Sequence, residues 1–178
     1  MKKKVLWLTQ TAVLLALLVT LQTITKPLGQ LVTGSCVNAL LAIACLFGGL
    51  GCGITVAFVS PVLAFLLGIA PQILTVPAIM VGNVAYVIVL YFVAGKEFWR
   101  RLLALISAAA VKFAVLYGVV AGLICGLLAD RLLSSGMLKA PMLQALPLTF
   151  GLVQLFTALI GGGVAMLIVP VLRRALRK

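Results

Sequence analysis

Long apolar runs broken by short polar punctuation dominate this chain. Cutting at charge clusters and at proline and glycine breaks leaves six apolar segments, 5–25, 34–50, 53–69, 73–94, 102–128 and 145–172. At 1.5 Å rise per residue each approaches the roughly 30 Å of a bilayer's hydrocarbon core, although the second and third are short. The pattern predicts an all-α, polytopic membrane protein, a bundle of six transmembrane helices forming one domain over residues 1–178. The uncharged stretch 48–53 (GGLGCG) is expected to link the second and third helices tightly, and Ala70, Pro71 and Gln72 to make a similar turn at the other side. Residues 96–101 (KEFWRR) read as a basic loop, and 130–143 as the longest outer loop, long enough to move as a lid. A lysine-rich start before the first segment imitates a signal peptide. No small-x-small cleavage site follows it, however, and 23–28 with Pro27 reads as a helix end, so a retained helix is expected.

Composition supports the membrane reading: 65% of residues are hydrophobic, 9% charged, and mean hydropathy is +1.34. The net charge of +12 is a topology signal rather than a nucleic-acid footprint, because of where the cations fall. Lys2, Lys3, Lys4, Lys96, Arg100, Arg101, Arg173, Arg174, Arg177 and Lys178 lie on one side of a six-span arrangement, and Lys26, Arg131 and Lys139 on the other. The positive-inside rule then places both termini in the cytoplasm. Trp7 and Trp99 fall at the same boundary, as aromatic anchors do.

Several kinds of chemistry are missing. Cys36, Cys45, Cys52 and Cys125 form no CxxC pair and the chain has no histidine, so no metal site and no haem or other cofactor is expected. Its two acids, Glu97 and Asp130, lie in or beside loops, which leaves no intramembrane carboxylate to carry a proton. No GxxxxGK[ST] motif exists for ATP hydrolysis by the P-loop route. A serine and lysine pair from Ser60 or Ser107 with Lys112 is the one nucleophile arrangement left. Ser107 lies five residues before Lys112, about 140° round the helix, which argues against direct activation. The chain reads as a binding protein, not an enzyme, and uphill transport would need a partner to supply the work.

Lys112 is the one charge set deep inside an apolar helix. A charge at the bilayer centre costs about 2.5 to 3.5 kcal/mol even on the lenient insertion scale, so such residues usually face a bundle interior. Two readings stand at this point: contact with a solute, or a side chain that snorkels its amine to the cytoplasmic headgroups. Asn83 lies near mid-membrane with Tyr86 one turn further on the same face, and Gln154 and Thr157 share a face of the last helix. Gln22 and Asn38 fall towards the outer ends of the first two helices, and Tyr117 lies outward of Lys112 but about 140° round from it. Amides in lipid must find partners, so these polar groups are expected to point inward and are candidate substrate-binding residues, with Lys112 favouring an anionic solute. Gly118, Gly122 and Gly126 on the fifth helix, and 161–163 on the sixth, are spaced for close helix packing.

With these features the chain resembles the substrate-binding S component of an energy-coupling factor transporter. The resemblance covers nearly the whole chain and includes Ala12-Val-Leu-Leu-Ala16 in the first helix, similar to an AxxxA docking motif of that family. It implies capture of a vitamin or other micronutrient from outside. It also implies docking through Ala12 and Ala16 on a transmembrane coupling subunit, with two cytoplasmic ATPases driving a toppling of the S component. No signature of a biotin, thiamine or riboflavin binder is present, so the substrate stays open. Two alternatives of other classes are a structural scaffold resembling the rod-shape subunit MreD, which predicts no solute pocket, and a small autonomous facilitator.

Overall fold

A computed structural model describes residues 2–69, 72–95 and 97–176. Of the sequence expectations, Ala70 and Pro71 of the outer turn, the cations Lys96, Arg177 and Lys178, and the side chains of Lys2 and Lys3 lie outside the described residues. The described chain is all-helical: α1 (Lys2–Thr25), α2 (Gln30–Gly48), α3 (Leu50–Leu66), α4 (Val76–Val93), α5 (Phe98–Tyr117), α6 (Ala129–Ser134), α7 (Ala140–Thr149) and α8 (Leu152–Ala175). Five helical stretches, Lys4–Leu28, Gln30–Gly48, Ile73–Val93, Phe98–Leu127 and Ala140–Ala175, are long and apolar enough to cross a membrane, and Leu50–Leu66 is a shorter apolar helix.

Packing is inverted relative to a water-soluble bundle. Large apolar side chains such as Leu8, Val13, Phe92 and Leu167 point outward, while Ala42, Ala44, Ala57, Ala104, Ala108 and Ala165 fill the interior. Lipid tails are as apolar as leucine, so close van der Waals contact between small residues holds helices together where burial of greasy surface does not. The central helix is α2, buried continuously from Asn38 to Cys45 and packed most extensively on α8. Gly161 permits that approach, since a Cβ there would stand 2.6 Å from the Ala39 backbone nitrogen and 2.8 Å from Asn38 Cβ. Several hydroxyls bond a carbonyl of their own helix, as Thr11 does on Trp7 O (2.8 Å) and Ser107 on Leu103 O (2.8 Å).

Four expectations are corrected. The 48–53 link shrinks to one residue: Gly49, at φ 87°, turns the chain between α2 and α3, a conformation that a side chain would strain. Gly118 and Gly122 do not form a packing face, because nothing lies within 4 Å of a Cβ at either. They belong instead to a π-helical segment, Gly118–Leu127, that continues α5 with wider winding. The sixth segment breaks at 150–151, where α7 ends and α8 begins after Gly151. The outer loop 130–143 contains short α6 and the start of α7 rather than irregular chain.

Cations at both ends of the bundle are tied to backbone carbonyls. At one end Trp7 reaches Gly51, Arg173 donates to Leu46 O and Arg101 donates to Gly95 O (3.2 Å). At the other, Lys26 donates to Gly68 O at 2.6 Å.

Candidate functional site

The one interior charge among the described residues is held by two amides. Lys112, 2% exposed, donates from Nζ to Asn38 Oδ1 at 2.6 Å and to Asn83 Oδ1 at 2.7 Å, tying α5 to α2 and α4. Its ammonium also stands 5.6 Å from the centroid of the Tyr86 ring, one turn from Asn83, where the ring's electron-rich face offsets part of the desolvation. The amine therefore turns into the bundle and not along the helix to a headgroup, which removes the snorkelling reading.

Each amide's orientation follows from its neighbours. Asn38 Nδ2 donates to Gly34 O (2.9 Å) and to Thr157 Oγ1 (3.2 Å), while Thr157 donates to Gln154 O (3.1 Å). The Asn38 oxygen is thus free to face Lys112. An ammonium has only donors, so Asn83 must likewise present its oxygen. That leaves Asn83 Nδ2 buried with no hydrogen-bond partner. An orphaned donor in low dielectric costs about 1 to 3 kcal/mol, so this nitrogen is an unmet hydrogen-bonding demand beside the ammonium.

A cavity of about 380 Å³ opens above these residues. Asn38, Asn83 and Lys112 lie at its buried inner end, and exposed Lys26, Gly29 and Gln30 line its rim. Gln22, Gln72 and Gln154 contribute amides to the walls. The wall opposite α2 is α7, with Met142, Ala145, Leu146 and Thr149 lining the space. Leu146 and Phe150 anchor that wall in an apolar cluster with Ala78, Leu116, Val120, Ile124 and Leu138. A volume of this size suits a small metabolite.

Six of the eight polar residues singled out in the sequence converge here: Lys112, Asn83, Asn38, Gln22 and Gln154 line the cavity, and Thr157 orients Asn38. Tyr86 lies beneath, fully buried, with its hydroxyl 3.4 Å from Ala158 O and its ring under the ammonium. Tyr117 does not join them. It is 45% exposed, stacks on Phe113 and lies outside the cavity lining, because five residues of helix turn it away from Lys112. Sequence reasoning missed Gln72, Lys26 and α7, all of which reach the cavity. Gln72 sat in an expected turn, and α7 was hidden inside a run read as loop and span. Among the described residues no group of three or more metal-ligating side chains exists. Ala12 and Ala16 are both exposed on α1, on the outside of the bundle.

Apolar outward faces around a polar cavity with an interior charge at its end mark a multi-pass membrane protein. More particularly, the family model of the ECF transporter substrate-specific component matches residues 7–173, and the chain belongs to that family. No curated protein and no solved structure matches it. The chain is therefore a multi-pass substrate-binding subunit of a transporter and not an enzyme, and the scaffold alternative falls.

Proposed function

We propose that the cavity between α2, α4, α5 and α7 is the solute site, and that Lys112 anchors a polar or anionic group of the solute at its inner end. The supporting observation is the buried ammonium held between Asn38 and Asn83 beside an orphaned Asn83 amide nitrogen. A charge retained in lipid at a cost of a few kcal/mol, and set at the end of a cavity, is best accounted for by the solute it meets.

In this reading the chain crosses the membrane six times, with α3 as the short sixth span and both termini cytoplasmic. The cavity then opens to the outside. Described cations Lys4, Arg100, Arg101, Arg173 and Arg174 lie towards the opposite end, which agrees with the positive-inside bias. Exposed Ala12 and Ala16 on α1 form the docking face for the coupling subunit, and two cytoplasmic ATPases supply the energy for release. Native mass spectrometry of gently purified protein tests the reading: a small metabolite should stay bound to the wild type and be lost from Lys112→Met. A metabolite retained equally by both would place the site elsewhere.

A further inference from the structure

The cavity's polar groups are unevenly distributed, and the distribution specifies a class of solute. At the inner end the surplus is of donors. Two N–H groups of Lys112 go to Asn38 and Asn83, leaving one of the three, and Asn83 Nδ2 has no partner. The rim adds a second cation, Lys26, while Glu97 and Asp130, the chain's two acids, are absent from the lining. A cationic solute would meet two positive charges there and no counter-charge. Farther out, Gln22 and Gln72 each keep a buried side-chain oxygen without a partner, so their amides await a neutral hydrogen-bonding group. The remaining walls are mainly aliphatic, with Val37, Pro61, Ala64, Ile79 and Leu146, interrupted by Thr33, Thr149 and Gln154. Phe150 is the one aromatic residue in the lining, so no pair of rings stands ready to clamp a flat ring system.

Resting on the cavity being the solute site, we infer that the solute is a small carboxylic acid with an aliphatic body and a neutral hydrogen-bonding group at its far end, bound carboxylate inward. Two adjacent donors on different residues, Lys112 Nζ and Asn83 Nδ2, match the two oxygens of a planar carboxylate. A phosphate monoester carries more charge and more acceptor oxygens than these two donors satisfy. The Gln22 and Gln72 amides accept or donate to a hydroxyl or amide at the other pole.

The test is retention from a defined mixture. Detergent-purified wild type, Asn83→Asp and Gln72→Leu are incubated with small hydroxy- and acylamino-alkanoic acids, their primary amides, and matched phosphate monoesters and amines. Bound compounds are identified by mass spectrometry after washing, and thermal melting confirms that each variant is folded. Wild type should retain acids over their own primary amides by at least about tenfold, the worth of one charge-assisted hydrogen bond. Asn83→Asp, which replaces the free donor with a carboxylate that pairs Lys112, should lose the acids. Gln72→Leu should weaken those with a polar far end more than plain alkanoic acids. Retention of amides, phosphate esters or amines in preference, or of nothing from the mixture by folded wild type, overturns the carboxylate assignment. Preference for another class that is still abolished by Asn83→Asp would leave the cavity as the solute site. Retention indifferent to both substitutions would remove the cavity itself.

Discussion

Asn83 gives its side-chain oxygen to Lys112 at 2.7 Å and keeps its amide nitrogen buried without a partner. The same residue thus stabilises an interior charge and keeps an unmet donor in the lining at the inner end of a cavity. Those two roles separate under substitution. Asn83→Leu removes both, whereas Asn83→Asp keeps an oxygen for Lys112 and loses the donor. The Leu variant should therefore melt at a lower temperature than wild type, and the Asp variant should hold its melting temperature while losing solute. A Leu variant as stable as wild type would show that Lys112 does not need the Asn83 oxygen.

Asn38 is bound more fully than Asn83, to Gly34, Thr157 and Lys112. Asn38→Ala leaves Lys112 with one amide partner and strips the Thr157 hydroxyl of a donor. A loss of about 1 to 3 kcal/mol is expected, visible as a lower thermal midpoint in detergent. Thr157→Val, which removes only one bond to Asn38, should cost less. Equal midpoints for both variants and wild type would mean that this network is not what fastens α2 to α5 and α8.

The α2–α8 contact rests on Gly161, where a methyl group would collide with the backbone of α2. Gly161→Ala should destabilise by about 1 to 3 kcal/mol through overpacking against atoms that have no rotamer to yield. Gly163→Ala is the control, since nothing lies within 4 Å of a Cβ there, and it should be neutral or slightly stabilising. Melting curves that rank the two the other way would contradict the helix interface.

The sequence disclosed the all-helical, membrane-spanning character and most of the residues that line the cavity, and the reasons are physical. Apolar runs must span lipid, and polar residues inside them must converge, so Lys112, Asn83, Asn38, Gln22 and Gln154 were findable from position alone. What stayed hidden depended on tertiary detail. Gly49 alone makes a turn that six residues had been assigned to, because α3 starts at Leu50 as soon as the chain reverses. The α7 wall was invisible because the break at Phe150 and Gly151 interrupts an apolar run that hydropathy reads as one span. Gly118 and Gly122 repeat every four residues, yet nothing packs against either, and spacing alone reveals neither the π-helical winding nor which face meets a neighbour.

Ala12 and Ala16 stand one turn apart on the exposed side of α1. Ala16→Trp should abolish co-purification with the coupling subunit and uptake into cells, while the isolated protein still retains its solute, because a surface contact is remote from the cavity wall. Parallel loss of assembly and of solute retention would point to a folding defect instead of a docking face.

Sidedness is checked by labelling. A cysteine at Gly136, in the exposed turn after α6, should react with an impermeant reagent added outside intact cells, and one at Arg174 only after the membrane is opened. The reverse pattern would invert the orientation and close the cavity to external solute.

Calorimetric titration of the native solute into wild type, Lys112→Met and Lys112→Arg tests the central claim most directly. Loss of a charge-assisted hydrogen bond should weaken binding to Lys112→Met by about 1.5 to 3 kcal/mol, roughly ten- to a hundredfold, with Lys112→Arg restoring only part of it, since a planar fork does not fit between Asn38 and Asn83. Unchanged affinity in a folded Lys112→Met protein would contradict the account and leave Lys112 as a structural tie between α2, α4 and α5.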